Sequence, residues 1–242
     1  MSSRQQKKKK VNDPQQSALR EYFLTTVVCT IFALFVTTYL VHPMTVPTPS
    51  MEPTIMVGDR LLIDKFTIRN GFTRGILPIA PIHDIKRKDV LVFKYPDQPE
   101  VLYVKRLIGL PGETIAIHDK QVYINGQSID EPYKHHSDLR IYPHRPTTHG
   151  FASDFQRDNY GPVQVPKNHY FMMGDNRDNS ADSRYWNFLP SEYVVGRPLF
   201  VFWSYQDDPI AHKRTDYVRL YIERILNFLS KTRWERTFHV IR

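Results

Sequence analysis

The chain has one cysteine, Cys29, among 242 residues. No disulfide can close within it, and no cysteine-based zinc site can be assembled. The stability of its soluble part must therefore come from a packed core, for which the length suffices. It also lacks internal repeats, a helix-turn-helix pattern, and any basic surface interleaved with aromatics. A nucleic-acid footprint needs such a concentrated surface, so nucleic acid is not an expected partner. Lys and Arg outnumber Asp and Glu by 33 to 25. Much of that excess sits in the Lys7–Lys10 run and the C-terminal tail, where it can orient a membrane protein. Apolar residues at 41% and charged residues at 24% describe a globular chain rather than a disordered one.

One stretch has no charge at all. Tyr22 to Val41 reads YFLTTVVCTIFALFVTTYLV, 20 residues, which as a helix measures about 30 Å, the thickness of a bilayer core. Its threonines lower the hydrophobicity, but their hydroxyls can bond back to helix carbonyls. A buried core helix is the alternative. No small-x-small cleavage site follows; His42-Pro43-Met44 does, so the span reads as an uncleaved anchor. Arg4, Lys7, Lys8, Lys9, Lys10 and Arg20 precede it. The positive-inside rule keeps residues 1–21 in the cytoplasm and sends everything after Val41 across the membrane.

Beyond the span, Pro43, Pro47, Pro49 and Pro53 rule out a continuing helix and predict a strand and turns. Short β-type runs follow at Arg60–Asp64, Asp89–Phe93, Val101–Val104, Thr114–Ile117, Gln121–Ile124, Tyr170–Met173 and Leu199–Trp203, punctuated by turn pairs such as Asn125-Gly126. No long helical periodicity interrupts Pro43 to Tyr205. The expected fold is mainly β: an antiparallel sheet domain over 42–208, one transmembrane helix at 22–41, and a linker from Pro209 to Thr215 followed by a basic amphipathic helix, together spanning 209–242. Residues 130–165, rich in His, Pro, Arg and Asp, read as a surface insertion or long loop. The spacing of His135, His136, His144 and His149 matches no familiar metal site. Apolar positions from Asp216 to Leu229 recur at helical spacing. They predict an amphipathic helix, lying either on the membrane beside Lys231, Arg233 and Arg236 or on the β domain.

Three segments carry chemistry. Ser50 lies in Pro49-Ser50-Met51-Glu52-Pro53-Thr54, just past the span; alone it would be an ordinary turn serine. Lys105 sits in Tyr103-Val104-Lys105-Arg106-Leu107-Ile108-Gly109, where apolar neighbours can strip its amine of water. Burial lowers a lysine pKa by up to ~3–5 units, which turns a useless base into a working one. On a strand Arg106 would point away from it. The third segment, Gly174 to Arg184, is built of small polar residues that form rigid, self-bonded turns. A calcium loop is the alternative, but the EF-hand Gly and Glu positions are missing.

Together these segments resemble the bacterial type I signal peptidases, in ordered blocks from Ser50 to Trp203. The resemblance implies a membrane-bound serine endopeptidase that removes signal peptides from exported preproteins after small residues at −1 and −3. It implies Ser50 as nucleophile and Lys105 as general base, with the Thr48 hydroxyl and the Ser50 N–H as oxyanion donors. Ser180 would orient the lysine, Asp182 and Arg184 would form a supporting ion pair, and Val46, Met51, Tyr103 and Val104 would line substrate pockets. No metal or cofactor is required; the partners are secretory preproteins, the lipid bilayer and the export translocon. The place implied is the bacterial inner membrane, with the catalytic domain periplasmic.

The chain departs from the family where Thr48 replaces a usual serine, Pro49 a glycine, and Lys88 the glycine of an Arg-Gly-Asp-Val-type strand; the last predicts altered turn geometry. Rival readings are a self-cleaving repressor-type Ser-Lys peptidase, a mitochondrial inner-membrane peptidase, and an inactive tethered binding module.

Overall fold

The computed structural model describes residues 14–65, 84–142, 156–206 and 217–241. Two compact units emerge, residues 1–40 and Val41–Arg242. In the first, Pro14–Phe35 forms an α-helix (α1), followed by one wider π-type turn at Val36–Leu40. The apolar stretch Ala18–Leu40 is long enough to cross a membrane, with mean hydropathy 2.0. Two of its threonines bond back as the sequence predicts. Thr26 Oγ1 donates to the Tyr22 carbonyl and Thr37 Oγ1 to that of Ala33, each at 2.8 Å.

The second unit is antiparallel β. Its strands are Val41–Thr45 (β1), Asp59–Asp64 (β2), Val90–Tyr95 (β3), Gln98–Gly109 (β4), Thr114–His118 (β5), Gln121–Ile124 (β6), Gln127–Ser128 (β7), Tyr160–Gln164 (β8), His169–Met173 (β9), Leu189–Pro190 (β10), Val194–Ser204 (β11) and His239–Val240 (β12). The larger sheet runs β1-β2-β11-β3-β4-β9-β10, with β12 added to β11; the smaller runs β7-β6-β5-β8. Each run expected to be a strand is one. The Asn125-Gly126 turn joins β6 to β7 with both residues at positive φ, 51° and 80°, the backbone that a tight hairpin needs.

The core lies in three clusters. One gathers Val46, Met51, Leu61, Ile63, Val92, Val104 and Val201; another packs Ile108, Ile115, Val122 and Phe171 between the sheets; a third holds Leu91, Phe93, Leu107, Met172 and Trp186. From Val104 onward β4 is buried at every position, which is why its lysine and arginine end up inside.

Two expectations need correction. Residues 130–165 are not one surface insertion. Glu131 and Asp158 are buried, and Tyr160–Gln164 is a strand of the smaller sheet. Polarity misled here because the charges are paired internally, as in Arg157 Nε to Asp158 Oδ1 at 2.9 Å. His144 and His149, the basic run at 4–10, the linker expected from 209 and Asp216 lie outside the described residues. The C-terminal helix is two pieces, Tyr217–Leu226 (α2) and Phe228–Lys231 (α3). Neither Arg233 nor Arg236 extends its surface: Arg236 Nη2 reaches Asp59 Oδ2 at 2.6 Å and Arg233 Nη1 the Val57 carbonyl at 3.0 Å. Lys88, where the family has glycine, lies just before β3. It holds a left-handed backbone of the kind that favours glycine, φ 75°, and its carbonyl accepts from Arg106 Nη1 at 2.7 Å.

Candidate active site

Ser50 sits in a short 3₁₀ turn, Pro49–Met51. The proline at its start fixes φ and has no N–H to waste. The turn is tied to the polar loop: Asn176 N donates to the Ser50 carbonyl and Asn176 Nδ2 to the Pro49 carbonyl, both at 3.1 Å. Lys105 lies on β4, paired with Leu91 of β3. Its Nζ is 2.5 Å from Ser50 Oγ and 3.1 Å from the Val104 carbonyl. Both residues are buried, Ser50 at 6% exposure and Lys105 at 4%. Burial pulls the Lys105 amine down to about 8, against the opposing pull of Asp182 and Asp175. A neutral amine at hydrogen-bond distance from a hydroxyl can accept its proton.

The adjacent residue diverges, as strand geometry predicts. Arg106 Nε and Nη2 grip Asp175 at 2.8 and 2.7 Å, and Thr54 Oγ1 donates to the same carboxylate at 2.6 Å. This buried pair was not anticipated. Its only trace in the sequence is that Arg106 and Asp175 adjoin the two chemical segments.

The loop Gly174–Arg184 closes the site from the other side. Asp182 accepts from Arg184 Nε and Nη2, each at 2.8 Å, and from Gly174 N at 3.1 Å. Arg184 holds the buried Asp182 carboxyl ionised below its usual range, against the desolvation that would raise it. The expected ion pair is thus formed. Ser180 is 8% exposed; its hydroxyl lies close enough to Asp182 to help hold that carboxyl down, but the bond to Lys105 that the resemblance implies is not made in this structure. Instead Ser180 packs on Gly174. A Cβ at that glycine would collide with the Ser180 side chain and the Ser50 carbonyl.

A cleft of about 420 Å³ opens above Ser50 and Lys105, walled by Val46, Thr48, Val101, Tyr103, Val104 and Ala181 among others. The Thr48 side chain is exposed there and makes no capping bond to the turn, so its hydroxyl is available to a ligand. Of the four expected pocket residues, Met51 is misplaced: it is fully buried in the core and lines no part of the cleft. On one side Leu102–Lys105 pairs with β3, but β9 pairs with β4 only from Arg106 onward. Among the described residues, no strand covers the other edge of Val101–Lys105, so an extended peptide could add there.

The family model described as "Signal peptidase, peptidase S26" matches residues 19–203. Signal peptidase I of Pseudomonas aeruginosa is 33% identical over 235 residues, 84% of this chain and 82% of that one. That of Pseudomonas fluorescens is 33% identical, over 82% of this chain and 77% of its own. Signal peptidase I S of Bacillus subtilis is also 33% identical, over 82% and 97% respectively. Fold and matches together define the class, a serine peptidase. More narrowly, the chain belongs to the signal peptidase family, peptidase S26.

Proposed function

We propose that this protein is a membrane-anchored endopeptidase that removes signal peptides from secretory preproteins with a Ser50/Lys105 dyad. The observation that carries this reading is the 2.5 Å separation of Lys105 Nζ and Ser50 Oγ in a buried setting. Neutral Lys105 takes the hydroxyl proton as Ser50 Oγ attacks the scissile carbonyl. The Thr48 hydroxyl and the Ser50 N–H receive the developing oxyanion; each such donor typically contributes about 10²–10³ in rate. The amine then passes its proton to the leaving peptide nitrogen, and water deprotonated by the same amine releases the acyl group from Ser50. Asp182 and Arg184 hold the loop behind the lysine.

The preprotein lies as an added strand along the uncovered edge of Val101–Lys105. Its small −1 and −3 side chains enter shallow apolar pockets at Val46, Tyr103 and Val104, with Met51 supporting from the core. The Ala18–Leu40 helix anchors the enzyme, with the basic residues before it on the cytoplasmic side and the catalytic unit across the inner membrane, within reach of the export translocon. Ile222, Ile225, Leu226, Leu229 and Trp234 are exposed, which supports contact of the C-terminal helices with lipid.

The test is cleavage of a signal-peptide-bearing preprotein by the detergent-solubilised protein beside Ser50→Ala. Cleavage after a small-x-small site, abolished in the variant, supports the reading. Equal cleavage by both would refute Ser50 as nucleophile.

A further inference from the structure

The segment Glu131-Pro132-Tyr133-Lys134-His135 leaves the smaller sheet and enters the wall of the site. His135 N donates to the Asp175 carbonyl at 2.8 Å, and Arg177 N donates to the His135 carbonyl at 2.9 Å. Glu131, its side chain wholly buried, holds the Arg177 guanidinium with both oxygens, one at 3.0 Å. Arg177 in turn reaches the Gly174 carbonyl from Nε at 3.2 Å. Tyr133 lays its ring over the Arg106 guanidinium, 4.0 Å from ring centroid to Cζ, and donates its hydroxyl to Glu131 Oε1 at 3.2 Å. The two arginines that fix Asp175 and the loop 174–184 are therefore both held from behind by two residues of one short segment.

We propose that Tyr133 and Glu131 are positioning residues for the reaction, acting through Arg106, Asp175 and Arg177 on the Ser50–Lys105 pair. This rests on the dyad reading above. The stacked ring keeps the Arg106 charge on Asp175, and Asp175 is one of the charges that bear on the lysine. The others are Asp182 and Arg184, with Arg106 the next residue along the strand. Desolvation first, and then the Glu131 charge beside it, push the Tyr133 hydroxyl far above neutral pH. The ring thus acts as a neutral platform throughout any useful assay range. Remove it, and Arg106 compensates Asp175 less well. The protonated lysine gains, and the pH at which activity appears moves upward.

The experiment uses the full-length protein in detergent with a signal-peptide-bearing substrate, comparing Tyr133→Leu, Tyr133→Phe and Glu131→Gln with Ser50→Ala as control. Tyr133→Leu should lower kcat about tenfold or more while KM changes less than about threefold, because a small misplacement of reacting groups acts on the chemical step. Its kcat/KM midpoint should move to higher pH by about half a unit or more. Tyr133→Phe, which keeps the ring, should restore most of the rate and the wild-type midpoint. Loss of thermal stability with unchanged kcat and midpoint would show a merely structural ring and overturn the proposal. If Tyr133→Leu does not fold, Glu131→Gln decides through the kcat against KM split: a kcat lowered about tenfold with KM changed less than about threefold sustains it, and a wild-type kcat overturns it. Activity retained by Ser50→Ala would instead sink the dyad reading on which the proposal stands.

Discussion

Lys105 and Ser50 are 55 positions apart in sequence, yet the lysine Nζ lies 2.5 Å from the serine Oγ. A buried strand delivers one and a proline-started turn the other. With the amine brought down to about 8 by burial, its neutral form becomes the working form in mildly alkaline solution.

A pH dependence follows directly. The base must be neutral, so kcat/KM should rise through pH 8 and fall about tenfold for each unit below it. Its acidic limb, measured from pH 6 to 9.5, should bend near 8. A midpoint near that of an exposed lysine would contradict burial as the cause.

Burial of the same amine costs stability. Its folded pKa lies below the ordinary value of 10.5. Holding the charged form inside is therefore penalised in full below about pH 8, progressively less as pH rises, and not at all above 10.5. Lys105→Met should be inactive yet more stable at pH 7, by roughly 3 kcal/mol at most. Its advantage should shrink between pH 8 and 10.5 in thermal unfolding; a variant less stable at all pH values would refute the argument.

Gly174 allows Ser180 and the Ser50 carbonyl to approach where a methyl would stand. Gly174→Ala should cost about 1–3 kcal/mol of stability by overpacking and lower kcat by about 10²-fold by shifting Ser50. Steady-state kinetics on folded variant protein provide the check, and wild-type kcat would show that the loop yields without moving the nucleophile.

Lys88 keeps a backbone suited to glycine, and only its carbonyl serves Arg106. Lys88→Gly should therefore leave kcat unchanged and stabilise the fold by about 1 kcal/mol or less. Thermal unfolding would show a small rise; a fall would mean that the lysine side chain stabilises the turn.

The sheet was legible because its strands are short, apolar and fenced by turn residues. The Lys105 environment was legible because Val104, Leu107 and Ile108 flank it. What escaped the sequence was long-range polar pairing. Glu131 and Arg177 are of residue types usually found at surfaces, and only the fold brings them together in the interior. Met51 was misassigned because its proximity to Ser50 in sequence says nothing of which way a one-turn helix points it. That Ser180 stops short of Lys105 could not be foreseen either, since its place depends on how tightly it packs on Gly174.

The dyad itself is tested most directly by preprotein cleavage with the wild-type protein, Ser50→Ala and Lys105→Ala, each shown to be folded. Cleavage after a small-x-small site is expected from the wild type, and none from either variant. Cleavage at the same bond by folded Lys105→Ala would contradict it.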